Sequence, residues 1–230
     1  DAQGVWLRGD VLGILVSRIL GVRRLAIPVS CNTAADKCGS FDRVQRTRIG
    51  SPFVIAAMQQ LAAEAGGAVA GYEANGGYLL QSPVLREGRE LSALPTRDAL
   101  LPVLAVLEEV RRSGRSVAAL CAELPQRFTA SDRLKEFPTD LGAARVKQLG
   151  EGDVAAVAGR FAALMGSGLG AVVAVDRTDG LRLVLSSEEV VHLRPSGNAP
   201  ELRCYAEAQS AARAAELVGL VLGRVASDWR

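Results

Sequence analysis

The chain has 230 residues, 49% of them hydrophobic and 23% charged, so it holds ample apolar surface for packed cores and cannot be disordered as its main state. Its 27 basic and 25 acidic side chains leave a formal charge of +2. That balance does not mark a nucleic-acid binder. The best membrane candidate, residues 11–22, is interrupted by Arg18 and falls short of the roughly 18 apolar residues a span requires.

The length suits two domains of about 100 residues each. The spacing predicts a helix over 10–20, with Asp10 as its N-cap and Gly21 as its stop. A short apolar strand follows over 25–29, then a polar turn with a short helix over 30–39 and an alternating strand over 41–47. A helix over 51–65 has Ser51 as cap and Pro52 at the favoured first position. Strands are expected over 68–72 and 77–80. Thr96 is expected to cap a long amphipathic helix to Arg112, with Leu100, Leu101, Leu104, Leu107 and Val110 on its apolar face. Strand and helix alternate here as in a doubly wound α/β domain.

A helix after Gly114 ends before Pro125, and the pattern then changes. A strand over 127–134 precedes helices over 141–149 and 154–165. Strands over 171–176, 181–186, 190–194 and 201–206 follow, and a helix over 207–225 closes the chain. Helices on one antiparallel sheet make an α+β domain, with the boundary between domains expected at 125/126. The segment 166–170 is rich in glycine but lacks the G-x-G-x-x-G spacing and precedes a strand, so it reads as a turn.

Among chemistry-bearing residues, the single histidine, His192, excludes any mechanism that needs a histidine pair or a three-His metal site. His192 lies in a strand and reads as structural rather than as a general base. Cys31, Cys38, Cys121 and Cys204 contain no C-x-x-C pair. They read as reduced thiols in a cytoplasmic protein, and Cys204 as a packing residue. No signal peptide is evident. The opening Asp1-Ala2-Gln3-Gly4 reads as a turn between two strands, which suggests a fragment.

Two loops carry convergent polar groups. Arg194-Pro195-Ser196-Gly197-Asn198-Ala199-Pro200 lies between two strands. It offers a guanidinium, a hydroxyl and the backbone N–H groups of Ser196 to Ala199, with Gly197 letting the backbone curl into a nest for phosphate. An ordinary polar hairpin with an exposed arginine has the same composition. Gly71-Tyr72-Glu73-Ala74-Asn75-Gly76-Gly77 lies at a strand end, where α/β sheets bind ligands. A carboxylate and a carboxamide two residues apart suit sugar hydroxyls, and a plain strand-ending turn fits equally well. Arg46, Arg48 and Ser51 stand at a helix N-terminus, a weaker anion candidate.

Both loops, in this order on these domain types, resemble the C-terminal half of the α-D-phosphohexomutases, most closely the bacterial phosphomannomutase/phosphoglucomutase-like proteins. The resemblance runs through nearly the whole chain. The 194–200 loop is similar to that family's Arg-x-Ser-Gly-Thr-Glu-Pro phosphate loop, with Asn198 and Ala199 in place of Thr and Glu. Glu73 matches the residue of the family's Gly-Glu-x-Ser-Gly-His sugar loop that contacts hydroxyls, with Asn75 for Ser and Gly77 for His. Thr47-Arg48-Ile49-Gly50-Ser51 resembles the family's Thr-Lys-Val-Gly stretch. The segment from Leu94 to Ala99 resembles the one that opens the last long helix of domain three.

The resemblance implies a tail of the metal-loop domain over 1–9, opening on a hairpin, a sugar-binding α/β domain over 10–125 and a phosphate-binding α+β domain over 126–230. It implies that Glu73, Asn75, Gly76 and Arg48 hold the sugar, and that Arg194, Ser196, Gly197, Asn198 and Arg203 hold phosphate. The implied reaction moves a phosphoryl group between C1 and C6 of a hexose phosphate through a hexose 1,6-bisphosphate. The catalytic phosphoserine and the magnesium loop are expected in domains upstream, so this chain is expected to bind rather than catalyse. A non-catalytic sugar-phosphate-binding module or a degenerate mutase is the alternative.

Overall fold

A computed structural model describes residues 1–166 and 168–229. The chain divides into two compact units, Asp1–Gln126 and a second that begins at Arg127. The turn expected over 166–170 contains Ser167, which lies outside the described residues.

In the first unit the elements run α1 (Gly9–Ile19), β1 (Arg24–Pro28), α2 (Ala34–Lys37), β2 (Arg43–Thr47), α3 (Ser51–Ala63), β3 (Val69–Tyr72), β4 (Tyr78–Leu80), β5 (Val84–Arg86), β6 (Arg89–Leu91), β7 (Leu94–Asp98), α4 (Leu100–Ser113) and α5 (Val117–Ala122). The expected opening turn is formed, with Gly4 N donating to Asp1 O at 3.0 Å, but residues 1–8 contain no strand beside it. The five-stranded sheet has the order β2-β1-β3-β4-β7. β2, β1 and β3 are parallel, and β4 and β7 each run antiparallel to the preceding neighbour. Apolar β1 and β3 are buried along their whole length, as strands covered on both faces must be. One face packs against α1, α4 and α5 through Ile14, Leu25, Ile27, Tyr72, Val106 and Leu120. The other packs against α3 through Val54, Ala57, Met58 and Leu61.

The helix ends differ from the expected caps. Arg8 precedes α1, and Asp10 lies inside it, fully buried. Its carboxylate accepts from Val11 N at 3.0 Å and Asn32 N at 2.9 Å and pairs with Arg8 Nε at 3.3 Å. Ser51 is the first residue of α3 rather than its cap, and Gly50 precedes it with φ +133°. Thr96 lies in β7, which was not expected, and the Asp98 carboxylate receives Leu100 N at 2.7 Å instead. Helix α4 buries Pro102, Ala105 and Val106; of its expected apolar face, Leu101 and Val110 pack against the core while Leu100, Leu104 and Leu107 stay exposed.

The second unit runs β8 (Phe128–Lys135), α6 (Thr139–Leu149), α7 (Val154–Met165), β9 (Val172–Asp176), β10 (Leu181–Leu185), β11 (Val190–Pro195), β12 (Glu201–Ala208) and α8 (Ala211–Asp228). Its sheet, in the order β8-β12-β11-β10-β9, is antiparallel throughout. Alternation along β12 sends Leu202, Cys204 and Ala206 into the core with Leu217, Val221 and Val225 of α8. Arg203, Tyr205 and Glu207 therefore take the opposite face. Helix α8 starts four residues later than expected. Glu207 remains in the strand because its carboxylate accepts from the buried Arg127 Nε at 2.6 Å, and the Ser210 side chain caps the helix by accepting from Arg213 N.

The start of α1 lies against the β3–β4 turn, with Gly9 N donating to Ala74 O at 3.2 Å. A Cβ on Gly9 would stand 2.0 Å from Gly76 N and 2.8 Å from Ala74 O. Gly9→Ala is therefore expected to destabilise the chain by about 1–3 kcal/mol through overpacking. Gly219→Ala, in α8 and open to space, should instead stabilise it by about 0.5–1 kcal/mol. Urea unfolding midpoints of the two variants check the pair of signs.

Candidate functional site

The first candidate lies at the carboxyl edge of the parallel strands β1, β2 and β3, where α/β sheets place ligands. The β3–β4 turn closes with Glu73 N donating to Gly77 O and Gly76 N donating to Glu73 O, each at 3.0 Å. Gly76 has φ +97°, the left-handed region that favours glycine. Asn75 Oδ1 accepts from Gly77 N at 3.1 Å, and the exposed side chain keeps its amide N–H2 as a donor not used by the turn.

Glu73 is 6% exposed. Its Oε2 accepts from Ser51 Oγ at 2.8 Å and lies 3.3 Å from Arg97 Nε. No hydrogen bond to its Oε1 is formed among the described residues, and a carboxylate oxygen in that state can accept from a hydroxyl. The expected anion site at the start of α3 is not formed as a unit. Ser51 points its hydroxyl at Glu73. Arg46 is committed to Asp36 and to the carbonyls of Pro28, Cys31 and Asn32. Arg48 is exposed, with its guanidinium 4.9 Å from the Phe53 ring centroid, and it has no recorded contact with the β3–β4 turn.

Arg97 was not among the expected site residues. It belongs to a segment that reads as a helix opening, but β7 carries it alongside β4 and delivers its guanidinium to Glu73. Gly77 makes room for it, since a Cβ there would stand 2.8 Å from Arg97 Nε. Arg97, Asn75, Gly76, Gly9 and Trp6 line a cavity of about 400 Å³.

The second candidate is the loop joining β11 to β12. Ser196 N donates to Glu201 O at 2.8 Å and Glu201 N to Ala199 O at 2.7 Å, while Phe137 N donates to Pro200 O at 2.8 Å. The expected set of four free N–H groups is therefore reduced: Ser196 N closes the loop, and Asn198 N faces Ser196 Oγ at 3.4 Å. Gly197 and Ala199 N–H have no partner among the described residues. Gly197 does not have positive φ and its Cβ position is open space, so the curl expected from glycine freedom comes instead from the Ser196–Glu201 closure.

Arg194 Nε donates to Asp179 Oδ2 at 2.8 Å, and the side chains are 19% and 8% exposed. Its two terminal nitrogens have no partner among the described residues. Arg203 stands opposite Arg194 on the neighbouring strand, and Arg133 opposite Arg203. Glu201 lies 3.3 Å from both Arg133 and Arg203, and Arg203 Nε is buried without a hydrogen-bond partner among the described residues. Three guanidinium groups thus share the helix-free face beside the loop.

His192 is 1% exposed and stacks on Tyr205 with ring centroids 5.3 Å apart. Its Nε2 lies 2.6 Å from Asp179 O, which makes it a donor there and agrees with a structural histidine. All four cysteines are free, and burial pushes the Cys204 thiol up to about 12. Among the described residues no cluster of three His, Cys, Asp or Glu side chains could hold a metal, and no helix is long and apolar enough to cross a membrane.

Residues 9–128 match the family model for phosphoglucomutase/phosphomannomutase, alpha/beta/alpha domain III, and residues 141–222 match that for the phosphoglucomutase/phosphomannomutase C-terminal domain. A phosphomannomutase of Salmonella muenchen is 44% identical over 227 residues, which cover 99% of this chain and 46% of that protein. One from Sinorhizobium fredii is 39% identical, over 90% of this chain and 42% of that protein. The chain thus spans about half the length of the curated relatives it matches. In fold it is similar to a phosphoglucomutase/phosphomannomutase family protein from Burkholderia thailandensis, with TM-score 0.60 and 17% identity over 96% of this chain and 42% of that one. It is similar too to an Aspergillus fumigatus N-acetylphosphoglucosamine mutase in complex with GlcNAc-6P and magnesium, with TM-score 0.60 and 14% identity over 95% of this chain and 47% of that one.

Burial drives the His192 imidazole below its usual range, against the opposing pull of the Asp179 carbonyl. The unfolded chain takes up this proton near about pH 6.5 and the folded chain only at lower pH. The stability linked to His192 is thus complete above that value and is lost as the pH falls below it. His192→Leu should lose less stability than the parent chain between pH 7.5 and 5.5, as read by denaturant midpoints at each pH.

Proposed function

Because the chain belongs to the phosphoglucomutase/phosphomannomutase family, we propose that it forms the sugar- and phosphate-binding half of a phosphohexomutase that moves a phosphoryl group between C1 and C6 of a hexose phosphate. The observation that carries this reading is the β11–β12 loop. There the buried Ser196, the open N–H groups of Gly197 and Ala199, and an Arg194 held only by its Nε gather within six residues. Phosphoryl transfer depends on positioning and charge stabilisation. A phosphate that is not reacting must be anchored while the other end of the sugar is presented. Arg194 would grip two phosphate oxygens, and the loop N–H groups, Ser196, Asn198 and Arg203 would complete the cradle.

Glu73 Oε1 would accept from a ring hydroxyl, while the Asn75 amide and Arg97 donate to neighbouring oxygens. Such a set of donors and acceptors serves a ring in either orientation, as a reaction that must handle both ends requires. Gly76 lines the same cavity and would belong to this sugar subsite, whereas Arg48, stacked over Phe53, would have to swing away from that ring to join it.

The relatives' remaining length is where the phosphoserine and the magnesium ligands belong in this reading. Among the described residues no cluster of three His, Cys, Asp or Glu side chains fits a metal. The 230-residue chain alone should bind hexose phosphates in the cytoplasm-type setting its free thiols suit and convert none of them. A longer gene product without mutase activity would favour the non-catalytic binding module instead.

In the longer gene product, Arg194→Ala should raise KM for mannose 1-phosphate by about 10- to 150-fold, the equivalent of about 1.5–3 kcal/mol for a charged hydrogen bond. Arg194→Lys should fall between, because lysine supplies a point charge without the fork. A coupled assay of mannose 6-phosphate formation reads both, and an unchanged KM in Arg194→Ala would remove the loop from the substrate site. Glu73→Ala should weaken turnover while leaving inorganic phosphate binding nearly unaltered, and equal loss of both would make Glu73 structural.

A further inference from the structure

Residues 177–180 join β9 to β10 and lie directly against the start of the phosphate-loop arginine. Gly180 has φ +81°, and a Cβ on it would fall 2.4 Å from Leu193 O and 3.1 Å from Arg194 Cα. No other residue type permits so close a pass. The approach brings the Asp179 carboxylate to Arg194 Nε at 2.8 Å.

The turn is itself held from three sides. Asp176 Oδ1 accepts from Thr178 N at 2.8 Å. Arg177 donates from Nε to Gly150 O and from Nη2 to Gly152 O, each at 2.7 Å, tying the turn to the end of α6. Beneath it, His192 donates to the Asp179 carbonyl at 2.6 Å, and its ring is fixed by stacking on Tyr205.

Resting on the phosphate-loop reading above, we infer that Asp179 is a positioning residue for Arg194, and that His192 holds Asp179 in place. A guanidinium free to rotate must lose that freedom when it grips an anion. Anchoring Nε to a fixed carboxylate removes the loss beforehand and leaves the two terminal nitrogens as the fork presented to phosphate oxygens. Asp179 would act through Arg194 rather than on the phosphate, and its negative charge opposes an anion bound nearby. The geometry and the charge therefore act with opposite signs, and this makes the inference testable.

The test is titration of the 230-residue chain with inorganic phosphate, followed by backbone amide NMR shifts of residues 196–199. Arg194→Ala sets the scale by weakening binding. Asp179→Ala is expected to weaken phosphate binding about fivefold or more, although it removes a negative charge. Asp179→Asn, which keeps an oxygen acceptor for Nε, should bind as the parent chain does or more tightly. His192→Leu, which deletes the bond to the Asp179 carbonyl and changes no charge at pH 7.5, should also weaken binding.

Tighter or unchanged binding in both Asp179→Ala and His192→Leu, with Arg194→Ala still weak, overturns the inference and leaves the phosphate loop standing. An unchanged affinity in Arg194→Ala overturns the loop reading itself, and the inference with it. Should Asp179→Ala fail to fold, the His192→Leu result decides alone.

Discussion

A carboxylate withdrawn from water must be given donors, because an unpaired buried charge costs several kcal/mol. Three such groups organise the functional edges of this chain. Asp10 collects Val11 N, Asn32 N and Arg8, and so ties the start of α1 to the loop after β1. Glu73 collects Ser51 and Arg97, and so ties the β3–β4 turn to α3 and β7. Asp179 collects Arg194 across 15 positions of sequence. In each case the satisfied side of the carboxylate is structural. In the last two, Glu73 Oε1 and the Arg194 terminal nitrogens make no bond among the described residues, and these are the atoms the proposed function gives to the ligand.

The elements were legible in the sequence wherever one side of a segment is apolar with a clear period. β1, β3, α7 and the four closely spaced strands of the second unit lie within about two residues of their expected positions. The segment 82–99 was not legible. β5 and β6 are three residues each, largely exposed, and held as a two-stranded pair, so they leave no pattern to read. β7 is exposed at four of five positions and owes its existence to pairing with β4. Thr96 in front of an apolar run has the look of a cap, and only the ladder partner reveals it as a strand residue. Leu100, Leu104 and Leu107 of α4 mislead for a related reason: Ala105 and Val106, small enough to approach α1 closely, take the buried face.

The candidate sites divide the same way. The residues on one continuous loop, Glu73 with Asn75 and Arg194 with Ser196, were legible because turn chemistry and polar convergence are local. Arg97 and Asp179 were not, since each joins its site through a tertiary approach that depends on a glycine opposite: Gly77 for Arg97 and Gly180 for Arg194. Gly77 faces a guanidinium and Gly180 the backbone of Leu193 and Arg194, and neither approach leaves a mark in sequence spacing. Arg46 shows the reverse error. Two residues from Arg48 and beside a helix start, it has every local sign of an anion ligand, yet four oxygen partners of the 28–36 segment consume it.

The distinction between backbone and side-chain donors bears on the loop substitutions Asn198 and Ala199. A phosphate nest draws on main-chain N–H groups whose direction is set by loop closure. Here that closure is the pair of backbone bonds between Ser196, Ala199 and Glu201, joined by Pro200 O to Phe137 N. None of these bonds involves the side chains of Asn198 or Ala199. Exchanging those side chains therefore alters what surrounds the loop without altering its frame. Arg194 is the opposite case, because its contribution is a side chain whose direction the loop does not set. The support for it has to come from elsewhere in the sheet, and the β9–β10 turn, seated on His192 and clamped by Arg177, is the element that meets it.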